Sequence, residues 1–127
     1  MRLDEITELT TDPAMAFTKI KDAITSKGYS RSDCHGTCAK AIRDGLVDDS
    51  DIVVVLGPKA SKRPIGVHSV IITKDGTLKV DKFVDDLADY DRETGVFTYK
   101  SGPQDFRIQI PVAYKTVGTI KKEIGIT

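Results

Sequence analysis

Tryptophan and asparagine are absent from this 127-residue sequence, and cysteine and histidine occur only twice each. Aromatic residues make up 6%, too few for base-stacking platforms. Net charge is missing too. Nineteen Lys and Arg balance nineteen Asp and Glu, which speaks against a broad basic face, so a nucleic-acid partner is not expected. No apolar run approaches the roughly 20 residues of a membrane-spanning helix. Two cysteines cannot build a disulfide framework. The start, Met1-Arg2-Leu3-Asp4-Glu5, carries acids early and no apolar block. It does not read as a signal peptide, so a cytoplasmic protein with no membrane attachment is expected. What is present is ordinary for a globular domain: 39% hydrophobic and 30% charged residues. The length suits one domain over 1–127 with a self-supporting core, its polar residues 1–11 loosely held.

Hydrophobic spacing divides the chain into elements. Asp12-Pro13 opens a helix over about 13–27, with Phe17, Ile20 and Ile24 on one face and Gly28 as terminator. After the polar stretch Tyr29-Ser30-Arg31-Ser32-Asp33, a second helix is expected from Gly36 or Thr37 to near Gly45. The β-branched run Ile52-Val53-Val54-Val55-Leu56 reads as a strand buried on both faces. Strands at about 66–73 and 77–83 flank Lys74-Asp75-Gly76 and should pair as a hairpin. Residues 84–92 are acidic and read as a turn. Further strands are expected at 96–100 and 106–110, and a last helix from Pro111 with Ala113, Val117, Ile120 and Ile124 on one face. The expected architecture is α+β: N-terminal helices packed on a small antiparallel β-sheet, with a C-terminal helix.

Three of the four Cys and His residues fall in Cys34-His35-Gly36-Thr37-Cys38. Cys38 stands just inside the expected helix start, where unpaired N–H groups and the helix dipole favour a thiolate. A small buried hydrophobe is its plainer role. His68 opens the strand Val67-His68-Ser69-Val70-Ile71-Ile72. A thiol nucleophile needs a base that later protonates the leaving group, and imidazole titrates in the right range. Asp81 lies on the hairpin partner, placed to orient that imidazole.

The order of Cys at a helix start, His opening a strand and Asp on the next strand resembles the papain-like cysteine peptidases and the transglutaminase-like superfamily in compact form. The matching segments are Gly36-Thr37-Cys38-Ala39-Lys40-Ala41-Ile42, Gly66-Val67-His68-Ser69-Val70-Ile71 and Gly76-Thr77-Leu78-Lys79-Val80-Asp81. The resemblance implies a hydrolase or acyltransferase acting on an amide bond: a peptidase, deamidase or transglutaminase that uses no cofactor and takes a protein or peptide substrate. Cys38 would attack, His68 would act as base and then acid, and Asp81 would orient His68. Cys34 and His35 would lie at the pocket rim, and residues 58–64 would form a flap or substrate contact. The chain departs from the family in having no Gln or Asn shortly before the thiol, so oxyanion stabilisation falls to a hydroxyl of Tyr29, Ser30 or Ser32 or to the Cys38 backbone N–H at the helix start.

The same residues bear on other classes of function. Cys34, His35, Cys38 and His68 have the ligand types of a zinc site, but no second paired motif and no deaminase signature. A Cys34–Cys38 disulfide has one residue more between its cysteines than the redox Cys-x-x-Cys. The basic stretch Lys59-Ala60-Ser61-Lys62-Arg63 lacks a phosphate-loop pattern. The acidic stretch Asp85-Asp86-Leu87-Ala88-Asp89-Tyr90-Asp91 lacks the spacing of an EF-hand. The competing reading is a non-catalytic interaction or regulatory domain that keeps this fold.

Overall fold

The structure is a computed structural model that describes residues 13–26, 33–58, 67–82, 87–102 and 105–126. The leading residues 1–11, residues 29–32 of the stretch before the second helix, and residues 59–64 of the expected 58–64 flap lie outside the described residues.

The fold is α+β. Among the described residues, two helices, α1 (Pro13–Thr25) and α2 (Cys34–Arg43), precede a six-stranded sheet, and α3 (Val117–Glu123) follows it. The strands are β1 (Ile52–Pro58), β2 (His68–Ile72), β3 (Leu78–Val80), β4 (Leu87–Tyr90), β5 (Phe97–Gly102) and β6 (Asp105–Thr116). Their order across the sheet is β3-β2-β1-β6-β5-β4, every neighbouring pair antiparallel.

The β-branched run does form a strand covered on both faces. Alternation along β1 sends Val53 and Val55 to one side and Val54 and Leu56 to the other. The first pair packs with Phe17, Ile20, Ala41, Ile42 and Val117, the layer between helices and sheet. The second pair packs with Val70, Phe97 and Tyr99. That second cluster joins β2 to β5, which stands three places away in the sheet. Only a strongly curled sheet can bring them together.

A bulge supplies part of the bend. Val55 pairs with Ala113 but Leu56 pairs with Pro111, so Val112 is the extra residue. Bulges bend a strand and increase its twist. This also corrects the expected last helix. Pro111 does not open a helix, because β6 runs through it to Thr116 and only Val117 begins α3. Proline is tolerated inside a sheet at a bulge, where a ladder bond is already lost. Two other expectations change. The acidic 84–92 stretch contributes β4, paired with β5 through Leu87↔Tyr99 and Tyr90↔Phe97. The strand expected over 77–83 is only Leu78–Val80, so Asp81 follows its end.

Candidate active site

Asp33 determines where α2 begins. Its extended backbone makes it the N-cap, and its Oδ1 accepts from the Gly36 N–H at 2.8 Å. Its carbonyl accepts from the Thr37 N–H at 3.0 Å. The first helical residue is therefore Cys34, not Gly36 or Thr37. The thiol at the helix start is Cys34, and Cys38 does not hold the place expected for it. Cys38 lies one turn further on, 0% exposed, in the layer between helices and sheet. Burial pushes its thiol well above the ordinary value, and the charges of Cys34, Asp81 and Asp33 push the same way.

Cys34 is 9% exposed. Burial alone would raise its pKa. Hydrogen bonds from His35 and His68, together with the charges of both imidazoles, outweigh burial and bring the thiol down to about 6. The His68 ring is close enough to the sulfur for its charge to act on the thiol.

His68 opens β2, and Asp81 sits just past β3, the hairpin partner of β2. The structure brings these two together as expected: His68 Nε2 is 2.7 Å from Asp81 Oδ1, and both residues are buried. With Nε2 engaged by Asp81, the nitrogen left to serve Cys34 is Nδ1. Burial disfavours the imidazolium, but the Asp81 and Cys34 bonds and charges overcome it and raise His68 to about 9. At neutral pH the pair is therefore a thiolate beside an imidazolium.

Two contacts in the cluster go beyond the expectation from the sequence, which places His35 only at the pocket rim. Tyr99, on β5, donates its hydroxyl to Asp81 Oδ2 at 2.8 Å. Its ring meets His68 edge-on, with centroids 5.4 Å apart and planes at 90°. Burial, then the charge and hydrogen bond of Asp81, raise its pKa, so it stays a donor. The second is the His35–Ser69 pair, with Nδ1 to Oγ at 2.6 Å, both residues buried. Neither position carries a local signal in the sequence. A tyrosine on a strand and a serine beside a histidine acquire meaning only from the sheet's curl and from the docking of α2 on β2.

Compared with known protein families, curated proteins and solved structures, the chain matches none. The site's own geometry therefore carries its chemistry. Among the described residues, no group of three or more His, Cys, Asp or Glu side chains is arranged to hold a metal ion. None of the described helices is long and apolar enough to cross a membrane.

Proposed function

We propose that the protein is a papain-like cysteine hydrolase or acyltransferase that acts on an amide bond of a protein or peptide, with Cys34 as nucleophile. The supporting observation is the buried hydrogen-bonded chain His68–Asp81–Tyr99 beside a Cys34 thiol that the imidazoles of His35 and His68 lower to about 6. A thiolate at a helix start needs no separate deprotonation step. Its sulfur attacks the carbonyl carbon, and the negative charge that develops on oxygen falls near the Cys34 N–H, a first-turn donor with no intrahelical acceptor. The imidazolium of His68 gives its Nδ1 proton to the leaving nitrogen as the C–N bond breaks, leaving a thioester. Neutral His68 then takes a proton from water or from an acceptor amine, which attacks the thioester and releases the sulfur. Asp81 orients the ring throughout and stabilises its charged form.

The decisive experiment treats the folded protein with an amide-mimicking electrophilic probe and maps the adduct by mass spectrometry. An adduct on Cys34 that disappears in His68→Ala, together with turnover of a peptide or glutamine-containing substrate, supports the reading. A folded protein whose Cys34 reacts with no acyl probe and turns over no amide would overturn it in favour of a binding domain.

A further inference from the structure

His68 accounts for only part of what surrounds the Cys34 sulfur. The neighbouring His35 places its Nδ1 3.8 Å from Cys34 Sγ. The same nitrogen is 2.6 Å from Ser69 Oγ on β2. Ser69 is 0% exposed, so its hydroxyl is not offered to a substrate. A hydroxyl both donates and accepts. It can therefore hold the His35 ring whether Nδ1 carries a proton or not. Successive residues of a strand point to opposite faces, so β2 presents His68 on one side and Ser69 on the other. One strand thereby orders two imidazoles about one sulfur, the first directly and the second through a serine.

We propose that His35 is a positioning residue that holds Cys34 as a thiolate independently of His68, and that Ser69 keeps the His35 ring in place. The inference rests on Cys34 being the nucleophile of the reaction above, but it concerns the thiol itself. Its use lies in the second half of the cycle. When water attacks the thioester, its proton goes to His68, the C–S bond breaks and the electron pair stays on sulfur. The His35 Nδ1–H, shared between Ser69 Oγ and Cys34 Sγ, stabilises that departing thiolate while His68 is occupied with the proton. Among the described residues, the titratable groups that act on this thiol or feel its charge are His35, His68, Cys38 and Tyr99. Of these, His35 and His68 are the two that can donate to it and carry positive charge.

The test is the pH dependence of iodoacetamide alkylation at Cys34 in the full chain, with sites read by mass spectrometry and folding judged by protection of Cys38. The wild-type midpoint should lie near 6. His35→Leu should raise it by about one pH unit or more, a tenfold loss of thiolate at pH values well below the wild-type midpoint. His35→Asn, whose amide N–H stands where Nδ1 stood, should restore most of that loss. Ser69→Ala should move the midpoint upward by less than His35→Leu does. His68→Ala should leave it below the roughly 8.5 of an ordinary thiol. An unchanged midpoint in folded His35→Leu, or an ordinary thiol in His68→Ala, would overturn the proposal. If His35→Leu does not fold, Ser69→Ala decides, and an unshifted midpoint there refutes it. Absence of amide turnover with these midpoints as expected would remove the hydrolase reading and leave this one standing.

Discussion

Cys34 and Cys38 are four residues apart on one helix, yet their environments push them in opposite directions. Cys34 meets two imidazoles and Cys38 meets only apolar packing and negative charge. Alkylation of Cys34 should therefore rise with pH through about 6, because only the thiolate attacks, while Cys38 stays protected until the protein unfolds. Turnover should fall again above about 9, where His68 loses the proton that the leaving group needs. A bell-shaped pH–rate profile between those limits is the expected measurement. Asp81→Asn keeps the shape of the orienter but removes its charge. It should lower turnover by about 10³–10⁴-fold, as neutralising such an orienter does in other triads, with little change in substrate KM. Tyr99→Phe leaves Asp81 Oδ2 without that donor inside the fold. Its expected cost is about 1–3 kcal/mol of stability by urea unfolding.

The helix carrying Cys34 begins where it does because of one aspartate. Asp33→Ala should lower stability by about 0.5–2 kcal/mol and loosen the turn that holds Cys34 and His35, which amide hydrogen exchange at residues 34–37 would report. At the far end of the sheet the turn before β1 does similar work. Asp51 accepts from the Asp48 N–H and from Lys79, each at 2.8 Å, and the carbonyls of Asp49 and Asp51 receive the first N–H groups of α3. Burial works against the Asp51 carboxylate, but the Lys79 and Asp48 bonds outweigh it and hold its pKa below the ordinary value. Its folded pKa is depressed, so its stabilisation is present above the ordinary carboxylate pKa of about 3.9 and is lost as pH falls through the lower folded value. Asp51→Asn should flatten that acid limb in a urea titration repeated across pH.

These elements also show what can be read from a sequence and what cannot. The β1 run, the Asp75-Gly76 turn and the His68–Asp81 partnership were legible because they depend on local pattern and a short hairpin. Gly76 has φ +87, and its N–H bonds to the Thr73 carbonyl at 2.9 Å, as a tight turn requires. The start of α2 is not legible in the sequence, because Gly36 has the look of a boundary and Asp33 that of a loop residue. The thiol at the helix start is therefore Cys34 rather than Cys38. The path of β6 through Pro111 was hidden because a proline normally opens a helix or ends a strand. It is a bulge that accommodates it, and a bulge depends on the partner strand.

Viewed whole, the molecule is a sheet wrapped far enough to touch itself. In a flat sheet with strands about 4.8 Å apart, β3 and β5 would lie about 19 Å apart, four steps away. Tyr99 of β5 nevertheless bonds to Asp81 at the end of β3. The apolar filling of that curl is Val54, Leu56, Val70, Phe97 and Tyr99. Phe97 is fully buried and stacks on Tyr90, with centroids 4.1 Å apart. Phe97→Ala should cost about 3–5 kcal/mol. Because the curl holds Tyr99 against Asp81, it should also depress turnover in molecules that remain folded, which a urea curve and an activity assay on the same sample would separate.

The seat of β6 between β1 and β5 also governs timing. That strand pairs residue 52 with residue 116, across half of the chain, and such distant pairings form late and slowly. A chain emerging from the ribosome would carry Cys34, His68 and Asp81 long before β6 is available to draw Tyr99 over them. The thiol can meet His35 and His68 before then, but the Tyr99 hydroxyl that holds Asp81 comes only when the last strand inserts, so the orienter's carboxylate is the last part of the site to be fixed.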